Sequence, residues 1–321
     1  MSKFSVVVVN KNFNPADIET NVLSGMGTTI KVVEAIDKKD VIKECKNADA
    51  ILLSAAPHFD KEVIDALTNC KCIVRYGVGT DNVDKNSVKA NGIILSNVPI
   101  YGHSEVALHT LTLILTLFRK INKSNSEVKN GIWGLNTIKP IKDHHETSIG
   151  IIGLGKIGQK VGEFCENLGF KLIGFDPFVT YEDLSNLDNI KLASTIDELV
   201  EKSNIITLHV GLNKNTKKLV NNNFLKKLLP GSYIINCSRG ELLDEFAVLD
   251  ALNSGNLQGV GLDVLSTEPP GMDNKLIMHP NVLITPHMAW YSEGAEIRLR
   301  EQAAQEVKRI LLNKEPKNRV A

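Results

Sequence analysis

Gly153-Leu154-Gly155-Lys156-Ile157-Gly158 matches G-x-G-x-x-G, the loop pattern that lets backbone approach a dinucleotide pyrophosphate. Alone the pattern says little, but its surroundings are those of a βαβ unit. It follows the apolar run Ile149-Gly150-Ile151-Ile152, opens a helical stretch at 159–168, and is succeeded by Lys171-Leu172-Ile173-Gly174-Phe175, which runs into Asp176, 18 residues after Gly158. In such a unit Gly153 permits the tight turn, Gly155 the close approach of phosphate, and Gly158 the close packing of helix on strand, while the helix N-terminus faces the phosphate charge. Asp176 can accept hydrogen bonds from the adenosine ribose hydroxyls and would repel a 2′-phosphate. No Arg follows it directly in Asp176-Pro177-Phe178, so NAD is expected rather than NADP.

A dinucleotide site specifies no reaction. Ligands in such folds sit at the carboxyl ends of strands, and three later segments end in reactive side chains there. Ile234-Ile235-Asn236-Cys237-Ser238-Arg239-Gly240 puts an Arg past a strand, Leu262-Asp263-Val264-Leu265-Ser266-Thr267-Glu268 a Glu, and Ile284-Thr285-Pro286-His287 a His. One strand-end face could bring Arg239, Glu268 and His287 together. Singly, each also reads as a surface ion pair, a solvated turn or one of eight histidines.

The elements that must position these groups read as short β-branched runs alternating with helix-like stretches. Strands are expected at 4–9, 30–36, 50–54, 72–75 and 93–96, then at 148–153, 171–175, 205–210, 233–236, 259–263 and 282–285. A helix at 104–118 and a polar connector at 122–142 separate the two series, and 293–312 reads as one amphipathic helix that could pack back on the first domain. A chain of 321 residues holds two domains at ~100–200 residues each. Aromatics are 5% of it, so the core is aliphatic, which suits buried parallel strands.

Lys plus Arg and Asp plus Glu each number 37, and the zero net charge argues against nucleic acid as a partner. The apolar segment 106–118 is broken by His109 and three threonines and is too short to span a bilayer, so no membrane role is expected. Five cysteines, none in C-x-x-C, and a start with no signal-like run point to the cytoplasm. Asp143-His144-His145-Glu146 offers adjacent metal donors without a ligand-like spacing, so a polar loop is preferred and no metal is expected; 314–319 reads as a solvated basic tail.

Together these motifs resemble the D-isomer-specific 2-hydroxyacid dehydrogenase family, as does Arg75-Tyr76-Gly77-Val78-Gly79-Thr80-Asp81-Asn82-Val83-Asp84, and the likeness covers nearly the whole chain. The resemblance implies an α/β fold of two doubly wound parallel-sheet domains. A Rossmann NAD-binding domain at 102–291 would be inserted in a flavodoxin-like substrate domain made of 1–101 and 292–321, with hinges near 97–102 and 290–293. It implies an NAD-dependent enzyme interconverting a small 2-oxo acid and its D-2-hydroxy acid, usually as a homodimer through the cofactor domain. Arg239 would hold the substrate carboxylate, His287 would carry the proton, and Glu268 would orient the imidazole. Backbone amides of Tyr76, Gly77, Val78 and Gly79 would clamp the carboxylate. Cofactor contacts would extend to Lys156, Ile157, Val210, Cys237, Ser238, Arg239, Asp263 and His287, with Asp263 facing the nicotinamide amide and Cys237 as a packing residue.

Two departures narrow the branch. Met288-Ala289-Trp290-Tyr291 resembles the C-terminal-binding-protein branch, and Trp290 would wall the substrate pocket. Leu108 stands where relatives usually have Glu. The alternative function is therefore an NAD(H)-responsive, corepressor-like binding protein with little turnover. The catalytic reading is preferred because no long tail or added regulatory domain is expected beyond Ala321. A formate dehydrogenase is disfavoured, since that branch has Gln at the place of Glu268.

Overall fold

The β-branched runs of the N-terminal third form strands β1 (Phe4–Val9), β2 (Thr28–Val33), β3 (Ala50–Leu53), β4 (Cys72–Arg75) and β5 (Ile94–Ser96). The structure is a computed structural model describing residues 3–34, 37–184 and 186–321. These strands are parallel in the order β2-β1-β3-β4-β5, with helices α1 (Asp17–Val22), α2 (Lys38–Cys45), α3 (Lys61–Asp65) and α4 (Lys85–Ala90) between them. Asp37, Asp60 and Asp84 cap α2, α3 and α4 by accepting first-turn N–H groups. Strand β3 is buried at every residue, which is why it reads as an unbroken apolar run rather than an alternating one. Of the strand expected at 30–36, Ala35 and Ile36 lie outside the described residues; β2 begins two residues earlier, at Thr28.

The chain divides into two compact units, Met1–Gly102 with Ser292–Ala321, and His103–Tyr291. In the second, β6 (Ser148–Ile152), β7 (Lys171–Phe175), β8 (Ile190–Leu192), β9 (Ile205–Leu208), β10 (Ser232–Asn236), β11 (Leu257–Leu262) and β12 (Val282–Ile284) form one sheet in the order β12-β11-β10-β9-β6-β7-β8. All its pairings are parallel. Helices α5 (His103–Phe118), α6 (Ile121–Lys129), α7 (Lys156–Asn167), α8 (Ile196–Lys202), α9 (Asn222–Leu225) and α10 (Glu245–Asn253) complete it. The strand order reverses between β6 and β9, and that switch point opens the crevice in which doubly wound sheets hold ligands. Both units are thus doubly wound α/β sheets, the first in the flavodoxin-like order. Among the described residues no helix is long and apolar enough to cross a membrane.

Three local expectations are corrected. The connector at 122–142 starts as helix α6, whose polar sequence buries no residue. Strand β8 was not expected, because three residues at a sheet edge give too short an alternation to register. The basic tail is not a free end: Val320 donates its N–H to the Leu95 carbonyl and Leu95 to Ala321, so the last residues cover the open edge of β5.

Helix α11 (Glu293–Leu311) belongs to the first unit, where it packs on α1, β3 and β4. Its docking includes an ion pair that is almost wholly buried. Arg300 reaches Glu19, which is 0% exposed, through Nε at 3.0 Å and Nη2 at 2.8 Å, and Asp17 through Nη2 at 2.9 Å. Tyr76 Oη donates to the same Glu19 carboxylate at 2.8 Å. Four donors and acceptors from α1, α11 and the end of β4 thereby satisfy one another, the condition under which charges can be buried.

Candidate active site

The glycine loop follows β6 because each glycine answers a different crowding. Gly153 has φ +94°, and a Cβ there would lie 2.5 Å from the His209 carbonyl oxygen and 2.9 Å from Val210 Cγ1. A Cβ on Gly158 would lie 2.0 Å from the Gly153 carbonyl oxygen, so only glycine lets α7 start so close to the strand. Gly155, by contrast, faces open space and is the N-cap of α7 without a side-chain cap. The first-turn N–H groups of α7, at Lys156 and Ile157, therefore look onto an open face that a phosphate can enter. Asp176 is drawn into the loop: its Oδ2 accepts the Leu154 N–H at 2.9 Å and its Oδ1 the Phe178 N–H at 3.0 Å. Each oxygen keeps a lone pair for a ribose hydroxyl. The residues present thus fit a dinucleotide.

His209, at the end of β9, was not anticipated. Its N–H donates to the Ile152 carbonyl, its Nε2 meets Thr207 Oγ1 at 2.9 Å, and burial lowers its pKa to about 4. It is a neutral ring filling the switch point beneath the glycine loop. The signal in the sequence was its position at the end of a strand.

The loops after β10, β11 and β12 carry the reactive set, and all three lie in the second unit. His287 Nδ1 and Glu268 Oε2 are 2.6 Å apart, and Glu268 Oε1 accepts the Leu265 N–H at 2.9 Å. Burial acts to raise the Glu268 pKa, but the hydrogen bond and charge of His287, the Leu265 amide and the charge of Arg239 outweigh it and hold the carboxyl below its ordinary value. The carboxylate is therefore charged, and it fixes the ring so that Nε2 is the end free of partners among the described residues.

Arg239 is held by its own loop. Asn236 Nδ2 donates to the Arg239 carbonyl at 2.8 Å, Ser238 Oγ to the Leu208 carbonyl at 2.7 Å, and Arg239 Nη1 to the Ser238 carbonyl at 2.7 Å. Gly240 lets this loop touch the next: a Cβ there would fall 1.9 Å from the Leu265 carbonyl carbon. That backbone contact, between the loops bearing Arg239 and Glu268, could not be read from spacing. Cys237 lies under α5, and burial pushes its thiol up to about 12, so the thiol stays protonated.

Asp263 supports the turn that carries His287. It is 1% exposed; its Oδ1 accepts from Thr285 Oγ1 at 2.6 Å and the Met288 N–H at 2.9 Å, and its Oδ2 from the Ala289 N–H at 2.9 Å. His109 on α5 adds Nε2 at 2.9 Å from Thr285 Oγ1. Asp263 thereby lies beneath the turn that presents His287 and anchors it. The turn needs anchoring because His287 has φ +53°, a left-handed conformation that costs a side-chain-bearing residue energy. Trp290 Nε1 closes the same turn on the His287 carbonyl at 3.1 Å.

In the first unit, Gly77 has φ +127°, and a Cβ there would strike the Arg75 guanidinium. The Gly77 and Val78 carbonyls accept from the Val98 N–H and Asn97 Nδ2. The N–H groups of Gly77, Val78 and Gly79 have no partner among the described residues. Tyr76 is a correction: its N–H is committed to the Leu53 carbonyl and its ring is buried against Phe13, so it has no amide to offer a carboxylate.

Residues 111–289 match the family model described as D-isomer specific 2-hydroxyacid dehydrogenase, NAD binding domain. The chain is 34% identical over 277 residues to D-3-phosphoglycerate dehydrogenase of Bacillus subtilis, covering 86% of this chain and 52% of that one. It is 32% identical over 313 residues to hydroxypyruvate reductase of Blautia hydrogenotrophica, covering 95% and 96%. The chain thus spans about half the length of the phosphoglycerate dehydrogenase but nearly all of the reductase. The structure of D-lactate dehydrogenase from Aquifex aeolicus, complexed with NAD and lactic acid, superposes with a TM-score of 0.87 at 26% identity over 98% of each chain. With its cofactor loop, its two doubly wound sheets and these likenesses, the chain belongs to the D-isomer specific 2-hydroxyacid dehydrogenase family.

Proposed function

We propose that the protein reduces a small 2-oxo acid to its D-2-hydroxy acid with NADH, and runs the reverse with NAD. The observation that carries this reading is the 2.6 Å contact between Glu268 Oε2 and His287 Nδ1, beside a loop that bears Arg239. The glycine loop, the α7 N-terminus and Asp176 would hold the cofactor, which as NADH would supply a hydride to the carbonyl carbon and as NAD would take one from the alcohol. Lys156, Ile157, Val210, Ser238 and Cys237 line the same strand ends. Arg239 binds the carboxylate and draws charge toward the carbonyl oxygen, since a guanidinium offers two parallel donors and stays charged. His287 gives its Nε2 proton to that oxygen in reduction and removes it from the hydroxyl in oxidation. Glu268 keeps the ring in register and balances its charge. The amides of Gly77, Val78 and Gly79 are further carboxylate donors, Trp290 is a wall of the substrate pocket, and the first unit is the substrate domain.

Hydroxypyruvate heads the substrates to try, because the reductase is matched almost end to end; phosphohydroxypyruvate, glyoxylate and 2-oxo-4-methylpentanoate follow. The test is NADH oxidation across this panel. Turnover with one member supports the proposal; tight NADH binding with no turnover on any would overturn it in favour of an NAD(H)-responsive binding protein. A homodimer through the second unit is supported by the exposed apolar side chains of Ile121, Val128, Ile132, Trp133 and Leu135, Trp133 being 89% exposed. Five free cysteines suit a cytoplasmic location.

A further inference from the structure

An open pocket with about 90 Å³ of interior room lies in the second unit at the strand ends opposite the reactive set. Its wall includes Tyr233 on β10, Gln258 on β11 and Val282 on β12, the same three strands whose other ends lead to Arg239, Glu268 and His287. Its mouth is formed by Lys120, the N-cap of α6, and by Asn122 and Lys123 in the first turn of that helix.

The charge in this pocket is one-sided. No acidic residue lines it, and neither lysine has an ion-pair partner among the described residues. Burial, and then the charge of Lys123, push the Lys120 amine below its ordinary value. Some lysines elsewhere on the surface do find carboxylates, as Lys160 does with Glu163 and Lys202 with Glu198. The polar side chains of Asn122, Tyr233, Gln258 and Asn281 make no hydrogen bonds within the chain among the described residues, so their donors are available to a guest. Leu117 and Leu283 give the pocket an apolar side. Two uncompensated cations, unengaged amide and phenol donors and a short apolar wall together make a receptor for a compact dianion.

We propose that this pocket binds a small oxygen dianion, a phosphate monoester or a dicarboxylate, between Lys120 and Lys123, at a site separate from the cofactor loop and from Arg239. Inorganic phosphate and succinate are the probes, each titrated calorimetrically into protein saturated with NADH, so that the α7 N-terminus is already filled. Wild type is compared with the double variant Lys120→Asn, Lys123→Gln; Asn tolerates the left-handed backbone of residue 120 (φ 54°). Anion binding at Arg239 is common to both proteins and cancels. The expected result is that at least one probe binds wild type and that its affinity falls tenfold or more in the double variant, with NADH affinity and melting temperature kept. A stronger response to phosphate assigns the site to phosphate monoesters, and a stronger response to succinate to dicarboxylates. A second variant, Gln258→Glu, sets a negative charge on the exposed rim and should weaken the same probe while leaving both lysines in place. Equal isotherms for wild type and both variants, or binding of neither probe, would overturn the proposal.

Discussion

Glu268 and His287 stand 19 residues apart on the loops after β11 and β12, yet their side chains meet at 2.6 Å, and the other Glu268 oxygen is tied to the backbone at Leu265. The imidazole is therefore oriented by a group that is itself fixed, which leaves Nε2 as the proton-carrying end.

Replacing His287 with Asn, which accepts the positive φ of that position, should keep the turn and NADH binding and cut turnover by roughly 10²–10⁴-fold, the usual loss of a general acid. The pH dependence follows from Glu268, whose ordinary value of 4.5 is lowered in the folded protein. A carboxyl lowered on folding keeps its charge at pH 4.5, and its hold on His287 is present above that pH and lost as pH falls through the lowered value. Reductive turnover should persist through pH 4.5 and fall below it, and Glu268→Gln should be slower throughout and lack that acid limb in a profile of kcat/KM.

Asp176 sets the choice of cofactor. Its replacement by Ala should weaken NADH by about tenfold or more, while NADPH loses less or gains, because the repelling charge goes with the ribose acceptor. Fluorescence titration with both cofactors measures the ratio; an equal loss for the two would refute the assignment.

Gly155 and Gly158 should separate binding from stability. Ala at 155 meets no neighbour, and φ −68° suits it, so melting should hold or rise slightly while NADH affinity falls tenfold or more as the methyl fills the phosphate approach. Ala at 158 collides with the Gly153 carbonyl and should destabilise the fold by about 1–3 kcal/mol in chemical denaturation.

Arg300→Met would leave Glu19 buried with Tyr76 Oη as its remaining side-chain donor among the described contacts. Breaking a buried pair from one side costs about 3–5 kcal/mol. The variant should lose about that much stability, and adding Glu19→Gln should recover a large part of it. No recovery would mean that packing, rather than the orphaned charge, carried the loss.

The cofactor loop was legible in the sequence because its physics is local: strand, three glycines, helix and acid fall within 28 residues, from Ile149 to Asp176. Arg239, Glu268 and His287 were legible as strand-end residues, and the family pattern supplied their roles. What stayed hidden depends on distance in the chain or on crowding. Asp263 serves the turn at 285–289, Gly240 serves a backbone contact with Leu265, and Glu19 serves Arg300 across 281 residues; none leaves a periodic trace. Strand β8 and helix α6 were missed for the opposite reason, being short or polar elements at the margins of the second unit, where little burial shapes the sequence.

The Glu19–Arg300 pair also sets an order of events during synthesis. Chains leave the ribosome N-terminus first, and residues 103–291, with every strand of the second sheet, emerge before Arg300. Until then the first unit lacks α11, and Glu19 has no guanidinium to meet. The middle of the chain can thus reach its native form before the first unit is complete, and a nascent chain with residue 291 outside the ribosome and Arg300 still inside it would carry a finished cofactor domain on an unfinished companion.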